Sequence, residues 1–271
     1  MIRPSVIAGS WYPGDPKELR KTIQSFWEGM SIKPVSGKVR GLICPHAGFP
    51  YSGRIAAAGY WLIRDLNIDT VVILSPMHHW PPAAYIIHEA DFYETPLGKV
   101  KVNQTLRKDL ISAVRIQTVR EENEHSIEIQ LPFLQMAVPS FTILPIMIGT
   151  GDVSAGAELS EALSGILDKE STMVVASSDL HHLDSYEKVT RLDKEVVRVL
   201  ETMNISEIRK RLERADCTVC GKVPIAVALE VCKSMGADRF KVLGQTNSGD
   251  VTGNRGNEYT VGYLSAALME K

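Results

Sequence analysis

Histidines in this sequence concentrate just after short apolar segments. Five of the seven histidines lie within six residues of the end of such a segment. They are His46, the pair His78 and His79, and the pair His181 and His182, with Asp179 shortly before the last pair. Imidazole binds metal ions and transfers protons near neutral pH. These residue types therefore favour a metal site, a proton-transfer site, or a site that combines the two.

Three apolar segments must position these groups, namely 41–44, 70–75 and 173–176. Short unbroken apolar runs are typical of buried, mostly parallel strands. In an open α/β sheet, ligands bind beyond the carboxyl ends of such strands. We therefore expect the histidines to share one site at one edge of the sheet. The alternative is a structural hydrogen-bond network at the same edge.

The rest of the chain alternates between helical and strand patterns. Asp15 and Pro16 are typical of a helix start, and Asn103 is expected to cap a second helix. Short strands are expected within 81–104. Pro145 interrupts the strand pattern of 142–148, which predicts an edge position or a bulge for that strand. The pattern indicates an α/β fold with a mostly buried sheet flanked by helices.

Composition narrows the class of protein. The chain has 271 residues, of which 44% are hydrophobic and 23% charged, and a net charge of −2. No linker or repeat divides it, so a single domain over 1–271 is expected. The sequence has no basic stripe to indicate nucleic acid and no apolar run long enough to span a membrane. Four cysteines in so long a chain do not form a disulfide framework, and with no signal-peptide pattern we expect a cytoplasmic protein.

The third ligand of a metal site is open on residue chemistry alone. Two imidazoles and one anion on one face leave coordination positions for a substrate, as in facial-triad iron enzymes. The anion is either the Asp179 carboxylate or the Cys220 thiolate. Cys220 precedes a predicted helix, where a thiolate is favoured, and Lys222 adds positive charge. The spacing of Cys217 and Cys220 is a weak zinc signature because no second cysteine pair follows.

Three further residues have alternative interpretations. His125 begins a predicted helix after an acidic segment, 121–124, whose carboxylates are expected to cap that helix. The helix start should lower the pKa of His125 and keep its ring neutral. Trp11 either anchors the N-terminal arm or forms a wall of a binding cleft. His88 alternates within a strand pattern, and we interpret it as structural.

Six motifs, in this order, resemble the Memo family, named for a mediator of receptor-tyrosine-kinase-driven cell motility. They are Gly9-Ser10-Trp11-Tyr12, Pro45-His46-Ala47-Gly48, Ser75-Pro76-x-His78-His79, Glu124-His125-Ser126-Ile127-Glu128, Ser177-Ser178-Asp179-x-x-His182 and Cys220-Gly221-x-x-Pro224-Ile225. The resemblance spans nearly the whole chain. It implies a central mixed sheet with flanking helices, similar to class III non-haem iron extradiol dioxygenases.

The resemblance also assigns roles to the candidate residues. It implies metal ligation by His46, His78 and Cys220. We expect catalytic or supporting roles for His182, Asp179 and His125, and a substrate-binding role in the cleft for Trp11 and His79. His181 stands at a variable motif position, so we expect it only to pack or to contact solvent.

Our first hypothesis from these residues is a mononuclear metal-dependent redox or dioxygenase-like protein. A thiolate where the dioxygenases use a carboxylate shifts the preference towards softer metals, including Cu(I) and zinc. We expect iron or copper as the cofactor, with zinc as the alternative. The alternative is a non-enzymatic module that binds a phosphopeptide or another anionic ligand in the same cleft. A zinc hydrolase is a weaker third hypothesis because a clear glutamate base is missing. Prokaryotic relatives imply a functional link to radical-SAM and AMMECR-type proteins.

Overall fold

The computed structural model describes residues 1–32, 36–79 and 83–271. The strands in these ranges are β1 (Ile2–Arg3), β2 (Lys38–Cys44), β3 (Thr70–Pro76), β4 (Tyr85–His88), β5 (Phe92–Thr95), β6 (Gly98–Val102), β7 (Gln117–Val119), β8 (Thr142–Ile148), β9 (Thr172–Ser177), β10 (His182–Leu183), β11 (Arg239–Asn247) and β12 (Thr260–Glu270). The helices are α1 (Pro16–Trp27), α2 (Phe49–Ile63), α3 (Gln104–Ala113), α4 (Leu131–Ala137), α5 (Gly156–Ile166), α6 (Tyr186–Glu201), α7 (Ile205–Leu212), α8 (Lys222–Ser234) and α9 (Ser248–Thr252). A single 3₁₀ turn, Glu128–Gln130, precedes α4.

Helix starts follow the capping residues that the sequence predicts. The Asp15 side chain accepts hydrogen bonds from the backbone N–H groups of the first turn of α1, and Pro16 occupies its first position. Asn103 caps α3 in the same way by accepting from the Leu106 N–H group. The short strands expected within 81–104 are β4, β5 and β6, while positions 81 and 82 lie outside the described residues.

The sheet places the three predicted strands side by side. β9 lies between β3 and β2, and all of these pairings are parallel. β12 runs antiparallel to β2, so the sheet is mixed. Parallel neighbours end at the same edge, and therefore the chain segments that follow β2, β3 and β9 emerge together. This confirms the expected arrangement of strand ends.

Helices cover both faces of the sheet and form one α/β domain around it. One apolar cluster joins the sheet to α5, α6 and α8, with Leu159, Val196 and Leu229 among its buried members. The cluster on the other face joins it to α1, α2 and α4. None of the described helices is long and apolar enough to cross a membrane.

The position of β8 differs from the prediction. Pro145 predicted an edge position or a bulge, but β8 lies between β3 on one side and β6 and β4 on the other, and its pairing with β3 runs without a register shift. Residues 142 and 143 pair with β6, and residues 147 and 148 pair with β4. Pro145 lies between these two pairings. A residue without an N–H group is therefore accommodated inside the sheet where the partner strand changes.

Candidate metal centre

His46 lies two residues beyond β2 and is held by buried polar groups. Its Nδ1 atom is 3.1 Å from the Ser177 hydroxyl, and the residue is only 2% exposed. That hydroxyl donates to the Ser126 carbonyl oxygen at 2.6 Å, so it must accept a hydrogen bond from the imidazole. His46 therefore carries its proton on Nδ1, which leaves the lone pair of Nε2 available to a metal ion.

His78 is oriented by a buried carboxylate. Its Nδ1 atom lies 3.0 Å from Oε1 of Glu124, and its backbone N–H group donates to Oε2 at 2.6 Å. Glu124 is 1% exposed. A carboxylate accepts hydrogen bonds, so His78 also carries its proton on Nδ1. Both histidines thus present Nε2 as the free nitrogen.

Cys220 reaches the same point from the loop before α8. Its sulfur lies 3.2 Å from Nε2 of His46. Candidate ligand atoms of His46, His78 and Cys220 all lie within 4.8 Å of one another. The loop can approach this closely because residue 221 is glycine: a Cβ atom there would lie 2.5 Å from Oγ of Ser178.

The donor set fits a single metal ion. Two imidazole nitrogens and one sulfur at this spacing can contact one ion at ordinary ligand distances and leave a further position open. Burial, followed by the nearby charge of Asp179, raises the pKa of the Cys220 thiol. The thiolate expected from the helix start is therefore not favoured by the protein alone, and Lys222 lies instead beside Gly151 and Asp152. A cation between the three ligands would supply the missing positive charge.

Asp179 supports the turn that carries His46. Its Oδ1 atom accepts hydrogen bonds from the backbone N–H groups of His46 at 2.8 Å and Ala47 at 3.3 Å. The carboxyl is buried, and burial raises its pKa to about 7. In this arrangement Asp179 fixes the direction of the His46 ring through the backbone.

The rings of His125 and Trp11 extend the site beyond His78. The ring centroids of His78 and His125 are 4.7 Å apart with their planes at 24°, and the Trp11 ring lies 4.3 Å from His125, tilted by 43°. Burial lowers the pKa of His125 to about 4, so its imidazole is neutral at neutral pH. The direction of this shift is the one expected from the sequence, but its cause is burial: the expected helix start at His125 is wrong, since the 3₁₀ turn begins at Glu128 and α4 at Leu131.

The capping role predicted for the acidic segment is wrong, because neither the 3₁₀ turn Glu128–Gln130 nor α4 has a side-chain cap, and the segment acts instead through buried contacts. Burial favours the protonated form of Glu124, but the hydrogen bond from His78 and the charges of His78 and His125 outweigh it and lower the Glu124 pKa. Glu128 is fully buried and accepts hydrogen bonds from Arg3, and from Tyr12 at 2.7 Å. Sequence reasoning missed these contacts; the motif that contains both glutamates was the available signal.

The remaining predicted histidines lie in different surroundings. His182 faces the site, its Nδ1 atom is 3.1 Å from the Tyr259 hydroxyl, and burial lowers its pKa to about 4. His79 is exposed and is not among the described residues that line the cavity. His181 is buried and its ring contacts Asp193. His88 is buried in β4, where its Nδ1 atom accepts a hydrogen bond from the Ala90 N–H group.

A cavity of about 810 Å³ opens over His46 and His78. Much of its wall is aromatic, and its lining includes Trp11, Tyr51, Tyr259 and Tyr263 together with His125, Asp179 and His182. The cavity is large enough for a small molecule and brings that molecule against two of the candidate ligands, His46 and His78. Tyr259, which is 63% exposed, forms part of the rim and had no signal in the sequence.

Comparison with known proteins gives consistent matches over the whole chain. A family model described as Memo-like protein matches residues 3–267. A MEMO1 family protein from Methanosarcina barkeri is 34% identical, covering 99% of this chain and 100% of its own length. A MEMO1 family protein from Thermoplasma volcanium is 35% identical, and the match covers 98% of this chain and 97% of the relative. Among solved structures, an uncharacterised protein from Escherichia coli K12 shares the fold, with a TM-score of 0.57, 14% identity and coverage of 85% of this chain and 100% of that one.

Proposed function

Because the chain belongs to the Memo family, we propose that it binds one iron or copper ion and acts on a small molecule held in the cavity. The observation that carries this proposal is the convergence of His46, His78 and Cys220, with Nε2 of His46 3.2 Å from the sulfur. Both imidazoles have Nδ1 committed to buried acceptors, as is usual for histidines that ligate metals.

A bound iron or copper ion would supply one-electron redox chemistry at this position. The residues around it would bind and orient the substrate. Trp11 and Tyr259 offer aromatic surfaces that favour a planar, partly apolar molecule. His182 lines the cavity with a neutral ring whose Nε2 atom is buried without a hydrogen-bond partner in the described part of the chain. That nitrogen is placed to form a hydrogen bond with a polar group of the substrate.

The charge state of the site supports this function over recognition of an anionic ligand. Burial lowers the pKa values of His125 and His182 to about 4, so neither ring carries a positive charge at neutral pH. A phosphate in the cavity would need charged partners, since strong hydrogen bonds to phosphate come from ionised donors.

Elemental analysis after anaerobic purification tests the proposal. The wild type should carry close to one iron or copper ion per chain, and the His46→Ala variant should lose it. His79→Ala is the matched control, because His79 is exposed beside a candidate ligand, and it should retain the metal. Wild-type protein that holds only zinc, or a His46→Ala variant with undiminished iron or copper, would overturn it.

A further inference from the structure

Gln130 ends the 3₁₀ turn before α4, and its side chain is fully buried. A buried amide destabilises a protein unless its polar atoms find hydrogen-bond partners. The Nε2 atom of Gln130 donates to the Pro45 carbonyl oxygen at 3.0 Å and to the Ser177 hydroxyl oxygen at 2.8 Å. Its Oε1 atom accepts a hydrogen bond from the Tyr60 hydroxyl at 2.7 Å. Both amide hydrogens and the amide oxygen therefore have buried partners.

These partners determine which way the amide points. A carbonyl oxygen only accepts hydrogen bonds, so the group that faces Pro45 must be the NH₂ group of Gln130. A reversed amide would place two carbonyl oxygens against each other. On the opposite side, Tyr60 is held by its stacking on Phe133, with the ring centroids 5.3 Å apart and the planes at 4°. The second amide hydrogen is therefore available to Ser177.

Both acceptors of Gln130 are connected to His46. Pro45 directly precedes His46, so the hydrogen bond to its carbonyl oxygen holds the backbone that carries the imidazole. The Ser177 hydroxyl is the group 3.1 Å from Nδ1 of His46. That hydroxyl gives its only proton to the Ser126 carbonyl oxygen, and its two lone pairs accept from Gln130 and from His46. A serine held in this way cannot donate to Nδ1.

We propose that Gln130 is a positioning residue of the candidate metal centre, which keeps the His46 proton on Nδ1 and the lone pair of Nε2 free. It acts through Pro45 on the backbone and through Ser177 on the ring. The effect on metal binding rests on the function proposed above, whereas the position of the proton is a property of the metal-free protein. Unlike Glu124 beside His78, this support brings no charge to the ring.

Nitrogen-15 NMR of the metal-free protein at pH 8, where an ordinary histidine is neutral, tests the position of the proton. Protonated and bare ring nitrogens have separate chemical shifts, and the His46 signals are those missing from His46→Ala. We expect a protonated Nδ1 and a bare Nε2 in the wild type. Gln130→Met has a side chain of similar length that cannot hold Ser177, so both tautomers should be populated and the two shifts should move towards each other.

Chelator competition, with zinc as the probe ion, measures the effect on metal binding. Gln130→Met should lower the zinc affinity by about 10- to 100-fold, as is usual when a group that orients a metal ligand is lost. Gln135→Met is the matched control. Gln135 accepts from the Thr95 hydroxyl at 2.6 Å and donates to the Gly98 carbonyl oxygen at 3.1 Å, and these partners belong to β5 and β6. This variant should keep the wild-type affinity and the wild-type His46 shifts.

Tyr60→Phe replaces the first variant if Gln130→Met does not fold. It removes only the hydroxyl that holds Oε1 of Gln130, so the His46 shifts should move in the same direction by a smaller amount. A wild-type protein with the His46 proton on Nε2, or unchanged shifts in the folded variant, would overturn the inference.

The two readouts also separate this inference from the proposed function. If the wild type binds iron or copper while the shifts in the variant stay unchanged, only the role of Gln130 is wrong. If the shifts change as expected but the wild type binds neither metal, the proposed function fails and the control of the His46 tautomer by Gln130 stands.

Discussion

Nε2 of His46 lies 3.2 Å from the sulfur of Cys220, although 174 positions separate the two residues in the chain. Two features produce this approach. Neighbouring parallel strands bring the turn that carries His46 beside the end of β9. Gly221 then lets the loop with Cys220 pack directly on Ser178, whose hydroxyl accepts the Gly221 N–H group at 3.0 Å. The candidate site depends on that packing as much as on the ligands.

Replacing Gly221 should therefore weaken metal binding. A Cβ atom at this position would lie 2.8 Å from the Ser177 carbonyl oxygen, which is backbone and cannot easily move away. We expect Gly221→Ala to displace Cys220. The affinity for zinc, used as a probe ion, should fall by about tenfold or more, as is usual when the groups that orient a metal ligand are disturbed. Chelator competition measures this. Gly165→Ala is the control, because nothing lies within 4 Å of a Cβ there; equal losses in both variants would argue against the packing explanation.

Glu124 should act on the metal site through His78. Its carboxylate accepts from Nδ1 of His78 at 3.0 Å and is held by the backbone N–H groups of His125 and Ser126, each also at 3.0 Å. Glu124→Gln places an amide donor in this network and should lower metal affinity by about 10- to 100-fold in the same competition assay. Glu121→Gln changes an exposed acid of the same segment and should leave affinity unaltered. Unchanged affinity in the Glu124 variant would show that His78 does not need this support.

Arg3 should contribute to stability far more than a surface arginine. It is 2% exposed and pairs with Glu122 at 2.6 Å and with the fully buried Glu128. Arg3→Met leaves the carboxylates of Glu122 and Glu128 buried without their countercharge, so the free energy of unfolding should fall by about 3–5 kcal/mol in urea titrations. Arg191 forms an exposed pair with Glu195, and Arg191→Met should cost only about 0.3–0.5 kcal/mol. If Arg3→Met lowers the free energy of unfolding by no more than Arg191→Met does, this account of the network is contradicted.

Stability of the metal-free protein should fall in acid partly because of His182. Burial lowers its pKa to about 4 in the folded protein, whereas the unfolded chain has an ordinary histidine with a pKa of about 6.5. Between these pH values His182 is protonated in the unfolded chain but neutral in the folded protein. Its contribution to the free energy of unfolding is therefore fully present above pH 6.5 and declines as the pH falls towards 4. The slope is up to about 1.4 kcal/mol per pH unit.

The His182→Gln variant removes this titration. Its free energy of unfolding, measured in urea at several pH values from 4 to 7, should decline less steeply than that of the wild type. If the two curves stay parallel over this range, His182 does not bear a depressed pKa.

The sequence predicted the location of the site better than it predicted the residues that orient the candidate ligands. Apolar runs that end in histidines identified β2, β3 and β9 because strands buried on both faces have a continuous apolar pattern. The choice of His78 over His79 came from family resemblance. Consecutive residues of extended chain point in opposite directions, and only the three-dimensional path of the chain shows which of them faces the cavity.

Residues that act over long sequence distances had weaker signals. Glu124 and Ser177 contact the candidate histidines across 46 and 131 positions, so no local pattern reveals their role. His181 had no expected role beyond packing or solvent contact, yet it pairs with Asp193, which lies one helix later. Pro145 is a different case. Proline disfavours a regular position inside a sheet, as we assumed, but the sequence does not show that β8 changes its partner strand at that residue.

The most direct test of the proposed ligand set is X-ray absorption spectroscopy of the protein loaded with zinc, used as a probe ion because its ligand distances are well defined. We expect one sulfur ligand at about 2.3 Å and imidazole nitrogens at about 2.0–2.1 Å. The sulfur contribution should disappear in Cys220→Ser and persist in Cys217→Ser. A wild-type spectrum without sulfur, or a sulfur contribution that survives in Cys220→Ser, would contradict the assignment of His46, His78 and Cys220 as the ligands.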